Sequence, residues 1–269
     1  MTFYEDIERI SAALNDVSKE NELKNIIREC HNLTKLYFPA EHKLFGQLSN
    51  IFTEPTQPYY PEMREKVKVQ ALADCKQSIL YFLDDIKNEY RISLIGKPFD
   101  EIIQYEESQV LEFKSTLCWD VKNSKEDKKM MGEIIMKSIS AFSNSEGGIL
   151  LIGVQDDKEI LGLENDYRTF DNGSGNRDDF ELHLTTLIIN CFSRTFAKDN
   201  LSIEFPQSKG KEVCMIRVKK SDVPYTVKIT DKGGQAKEKF FIRVNNSSRD
   251  IDSLLEFARY VKQRFSNWN

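Results

Sequence analysis

Residues 148–154 read Gly-Ile-Leu-Leu-Ile-Gly-Val, a nearly unbroken apolar run. It is too short for an ordinary helix, and it lacks the alternation of a strand with one wet face. A run of this kind predicts a strand buried on both faces at the centre of a sheet, with helices covering it. Just before it stands Asn144-Ser145-Glu146-Gly147-Gly148, a turn whose two glycines permit positive φ and close backbone approach. Just after it, Asp156 and Asp157 turn the chain into Glu159–Leu163.

The neighbouring segments complete an α/β pattern. Val110–Phe113 is strand-like, and 128–142 is helical, with Met131, Ile134, Ile135, Ile139 and Phe142 on one apolar face. A helix is expected over 180–196, strands over 201–205, 212–218 and 240–244, and a closing helix from Asp250. The first hundred residues carry helical stripes instead. One runs through Leu23, Ile26, Ile27, Cys30 and Leu33; a longer one runs from Val69 to Ile86. Pro61 followed by Glu62 suits the first turn of the longer helix, and 51–61, with three prolines, reads as an ordered loop. Gly96, Pro98 and Asp100 mark the boundary. The expected organisation is a helical region over 1–98 and an α/β (α+β) domain over 99–269.

Several function classes lose support at this stage. The five cysteines are scattered and odd in number, and the three histidines form no His-x-His or His-Glu-x-x-His arrangement. A disulfide framework, a zinc knuckle and an imidazole-based zinc hydrolase are not expected. No Gly-Lys-Ser or Gly-Lys-Thr follows a glycine-rich loop, so a nucleotide phosphate loop has no basis. No apolar run is long enough to cross a bilayer, and the first residues do not form a secretory signal. The expected location is the cytoplasm, with no membrane partner. The formal net charge is −5, yet residues 209–249 hold eleven Lys or Arg against four Asp or Glu. A local surplus of this kind suits either a solubilising surface or a phosphate-facing rim.

Glu107 and Glu112 stand five residues apart, and strand alternation places Glu112 and Lys114 on one side with Phe113 toward the core. Asp156 or Asp157 could add a third carboxylate. Three hard oxygen donors suit Mg²⁺ or Mn²⁺, which could activate water against a phosphodiester. Acidic residues flanking strands are also common without any such role.

Taken in order, these segments resemble the Schlafen-type AlbA-like domain over about residues 105–265. The resemblance rests on Glu107-Ser108-x-x-x-Glu112-Phe113-Lys114, then Ala141 through Gly148. Leu151-Ile152-Gly153-Val154-x-Asp156-Asp157, Ile160–Leu163 and Phe241 through Arg249 follow. It implies a mixed sheet flanked by helices and a nucleic-acid partner, DNA or RNA, in a regulatory setting. The implied binding residues are Lys114, Asn144, Lys219, Lys220, Arg243 and Arg249. The alternative it implies is an endoribonuclease cleaving structured RNA such as transfer RNA. Glu107, Glu112 and Asp156 would then be the catalytic, Mg²⁺- or Mn²⁺-holding residues. The nuclease form pairs two such lobes, so a single lobe would call for a homodimer. The segment Asp222-Val223-Pro224-Tyr225 lacks the basic residue that often precedes the proline in the family. A third reading is an adaptor whose amino-terminal helices bind a protein partner.

Overall fold

A computed structural model describes residues 3–52, 63–230 and 234–266. The expected first turn at Pro61–Glu62 and all but the start of the loop over 51–61 lie outside the described residues. The chain divides into two compact units, Met1–Gly96 and Lys97–Asn269.

The first unit is helical: α1 (Phe3–Asp16), α2 (Glu20–Tyr37), α3 (Lys43–Ser49) and α4 (Arg64–Ile95). The stripe of α2 is buried at Leu23, Ile26, Cys30 and Leu33, and that of α4 at Cys75, Ile79, Leu83 and Ile86. Val69 and Leu80, read as part of that stripe, are exposed instead. The helix turns them away from its partners, and α4 continues to Ile95, past the end of the apolar pattern. Phe3 stacks on Tyr90, so the first residues of α1 close over the end of α4.

The second unit begins with α5 (Phe99–Ile102), β1 (Leu111–Lys114), a short hairpin of β2 (Trp119–Asp120) and β3 (Lys125–Glu126), and α6 (Lys128–Asn144). Asp127 caps α6 by accepting from the Met130 N–H at 3.0 Å. Then come β4 (Gly148–Ile152), α7 (Glu164–Tyr167), α8 (Arg177–Cys191), α9 (Arg194–Asn200) and β5 (Leu201–Glu204). A second small hairpin, β6 (Gln207–Ser208) and β7 (Lys211–Glu212), precedes β8 (Cys214–Val218). The unit closes with β9 (Thr226–Thr230), β10 (Ala236–Val244), β11 (Ser247–Asp250) and α10 (Leu254–Arg264).

The main sheet has the order β1-β4-β8-β5. The apolar run is its buried inner strand, parallel to β1 with Glu112 opposite Leu150, and antiparallel to β8. All five residues of β4 are buried. A second sheet, β11-β10-β9, is antiparallel and packs on α6. The core joins α6, α8 and α9 to both sheets through Phe142, Phe180 and Phe196, Leu150 and Ile216 of the main sheet, and Val227 and Phe241 of the second. Each such side chain contributes about 1.5–3 kcal/mol on burial.

The mixed α/β class and the helical amino-terminal region agree with the sequence reading. Three details differ. The helix expected over 180–196 is two helices, because the chain leaves helical geometry at Phe192 and restarts with Ser193 capping the Phe196 N–H. Residues 247–249, which the sequence leaves between the expected strand over 240–244 and the closing helix, are a strand that pairs with β10, and Arg249 sits opposite Ile242. The closing helix starts at Leu254, because Asp250 ends that strand. Among the described residues, no helix is long and apolar enough to cross a membrane.

Candidate nucleic-acid interface

The Asn144–Gly148 turn ends α6 and launches β4, and it is tied from four sides. The Asn144 side chain donates to the carbonyls of Tyr225 (2.7 Å) and Phe241 (2.9 Å) and accepts from the Tyr225 N–H (2.8 Å). Its own carbonyl accepts from the Tyr260 hydroxyl (2.9 Å). The Ser145 hydroxyl accepts from the Arg243 N–H (2.8 Å), and its carbonyl accepts from Arg264 (2.7 Å). Asn144 is fully buried with its amide spent on these bonds, so the expected ligand contact from its side chain is not met. It clasps the end of α6 to the second sheet, at Tyr225 before β9 and Phe241 of β10. The glycines answer close approach: a Cβ on Gly147, at φ +76°, would lie 2.6 Å from the Val218 carbonyl oxygen. One on Gly148 would lie 2.5 Å from the Phe142 ring.

Arg243 is also interior, and this corrects its expected place on the surface. Alternation along β10 turns it inward, over the Phe142 ring at 4.7 Å. Its guanidinium donates to Glu112, to the Ser248 hydroxyl (3.1 Å) and to the Ser108 carbonyl (2.7 Å). Glu112 is buried as well, and its other oxygen pairs with Lys114 at 2.5 Å. The Glu112–Arg243 pair thus joins β1 of one sheet to β10 of the other.

Glu107 accepts the Phe113 N–H at 2.8 Å. Burial holds its carboxyl above the usual carboxylate range against that hydrogen bond, and the charges of Glu112 and Asp156 add to the rise. The three acids are therefore neighbours. They are not a free donor set, because Glu112 gives one oxygen to each of two cations, while Asp156 is exposed after β4. Among the described residues, no group of three or more His, Cys, Asp or Glu side chains is arranged to hold a metal ion. The residues as arranged do not fit a bound Mg²⁺ or Mn²⁺.

What does converge is a basic cleft of about 350 Å³ between β1, α6 and the β10–β11 turn. Lys114, Lys137 and Arg249 line it, with Ser138, Ser247 and Ser248. Arg249 is exposed, and neither it nor Lys137 has a hydrogen-bonded or ion-paired partner among the described residues. Lys137 is half-buried against the Phe241 ring at 5.1 Å. Burial pulls its ammonium below the usual lysine range; Asp250 and Glu112 oppose that, and Arg249 and Lys114 add to it. An anion entering the cleft would offset that unfavourable balance.

Lys219 and Lys220 lie outside this cleft. Lys219 donates to the Asp199 carbonyl (2.8 Å), and Lys220 pairs with Glu146 (2.9 Å). Lys137 was absent from the sequence reading. Its signal was there, because position 137 stands three residues past Ile134 on the apolar face of α6. A lysine on a buried face needs an anion or a wet cleft nearby.

The family described as Schlafen, AlbA_2 matches residues 107–252, more than half of the chain. The crystal structure of the DIP2311 protein from Corynebacterium diphtheriae is similar over 65% of this chain, at 17% identity and a TM-score of 0.40. The chain covers only 32% of that protein's length.

Proposed function

Because the chain belongs to the Schlafen AlbA_2 family, we propose that its second unit binds nucleic acid through the basic cleft of Lys114, Lys137 and Arg249. Family membership points to a nucleic-acid-related function. The observation that carries the reading to a site is the pair Lys137 and Arg249, cations that converge on one cleft with no protein anion bonded to either. Lys114 is held in place by Glu112. Phosphate oxygens would satisfy the two open cations, and release of condensed counterions would supply the affinity.

The same geometry weighs against metal-dependent cleavage. A metal ligand at Glu112 would have to displace Arg243 and Lys114 and leave a buried guanidinium uncompensated. The purified chain is expected to bind RNA or DNA and to leave it intact in Mg²⁺ or Mn²⁺. Cleavage of structured RNA that disappears in Glu112→Gln, with the fold retained, would reverse this preference.

The direct test is the salt dependence of binding. Lys137→Ala and Arg249→Ala should each weaken binding and flatten the slope of log K against log salt by about 0.7–0.9, one phosphate contact apiece. Circular dichroism should stay unchanged. Binding to neither RNA nor DNA at low salt would sink the proposal.

A further inference from the structure

A second cavity, of about 680 Å³, opens beside the basic cleft. Lys114 and Ile134 line both, so the two adjoin at these side chains, and we treat them as one groove. The second cavity has a different chemistry. Val121, Met130, Met131 and Ile134 give it an apolar wall, and Asp156 and Asp157 stand at its rim. Val121 and Met130 are exposed. One face of α6 runs the length of the groove, from Met130 and Met131 through Ile134 to Lys137 and Ser138. Met130 and Lys137 stand seven residue steps apart on the helix, about 10 Å along the axis.

The two ends therefore differ. Lys137 and Arg249 stand at one end, where the carboxylate of Glu112 is already paired; Asp156 and Asp157 stand at the other beside the thioether-rich wall, with Lys122 also on its lining. A ligand that fits has an anion at one end and, within about 10 Å, a flat apolar group carrying hydrogen-bond donors. An acidic peptide would bring its carboxylates against Asp156 and Asp157, and inorganic phosphate would leave the apolar wall empty. A nucleotide meets every condition, with its base against the methionines and its exocyclic amine toward Asp156. Asp156 has no hydrogen-bonded or ion-paired partner among the described residues, so its oxygens are open acceptors. Thioether sulfurs make favourable contacts with aromatic rings and adapt to their shape.

Resting on the nucleic-acid reading above, we infer that the groove takes one unstacked nucleotide of a single strand, its base in the Met130–Ile134 cavity and its phosphate on Lys137 and Arg249. A base paired inside a duplex cannot present its face to that wall. Recognition of splayed bases is the general mode for single strands, whereas duplexes are read through backbone and grooves.

Fluorescence anisotropy on the full chain separates the two claims. Three probes are compared: a short labelled single-stranded oligonucleotide, the same strand with abasic sites throughout, and the fully paired duplex. The intact strand should bind about tenfold more tightly than the abasic strand, and the duplex no more tightly than the abasic strand. Met130→Ala and Val121→Ala should weaken the intact strand by about three- to tenfold and leave the abasic strand unchanged. Lys137→Ala should weaken both strands equally. Equal binding of intact and abasic strands, or a preference for duplex, would each overturn the inference. In either case the phosphate-binding reading would stand. Absence of binding to all three probes would overturn both.

Discussion

Arg243 and Glu112 are charged residues placed where a protein of this size would ordinarily put hydrocarbon, and each is tolerable only because of the other. Removing one partner of a buried pair commonly costs about 3–5 kcal/mol, since the remaining charge is stranded. Arg243→Met should lower the unfolding free energy obtained from urea denaturation by an amount in that range. Arg243→Lys should not restore it, because one ammonium cannot reach Glu112, Ser108 and Ser248 from the same position. The double variant Glu112→Gln with Arg243→Met should be less damaged than the sum of the singles, a coupling that equilibrium unfolding would measure. Asp166 makes a second residue-scale prediction. Burial pushes its carboxyl up to about 6, although Thr116 and the N–H groups of Leu117 and Cys118 all donate to it. A folded value above the unfolded one means stability that is complete below about pH 4 and lost as pH rises through about 6. Asp166→Asn keeps the acceptor oxygen, so it should flatten the unfolding midpoint across that window. An unchanged pH profile would show that the carboxyl titrates normally.

At the scale of elements, the Asn144–Gly148 turn is set by contact distances. Gly148→Ala would press a methyl into the Phe142 ring and toward the Val110 carbonyl, and Gly147→Ala would strain the backbone at positive φ and meet the Val218 carbonyl. Each should destabilise the chain by about 1–3 kcal/mol, measured by thermal or urea unfolding, with Gly147→Ala the less recoverable because it adds a positive φ to obstacles that are all main chain. This turn also shows what a sequence discloses. The buried strand, the helix before it and the glycine requirement were all legible, because periodicity and glycine report local geometry directly. The inward turn of Arg243 was not, since a basic residue in a short strand reads as a surface position until its partner on β1 is known. Strand β11 was hidden for a similar reason: Ser247, Ser248 and Arg249 have a loop-like composition, and pairing with β10 overrides it. Lys137 was overlooked because the apolar residues around it dominated the helical pattern.

For the whole molecule, the cleft is a product of assembly between elements far apart in the chain. Lys114 comes from β1, Lys137 from α6 and Arg249 from β11. No one of these elements, excised, would carry the site. The turn at Asn144 and Ser145 receives its last bonds from Tyr260 and Arg264 of α10. That has a consequence for the order of events during synthesis. Once residues up to about 220 have cleared the ribosome, a nascent chain holds every strand of the main sheet and can collapse around β4. It would still expose Glu112 without its guanidinium partner and Asn144 without its carbonyls. The groove would remain unformed until residues 225–264 cleared the ribosome. Competence to hold a strand should thus appear late and abruptly, well after the main sheet first resists a protease.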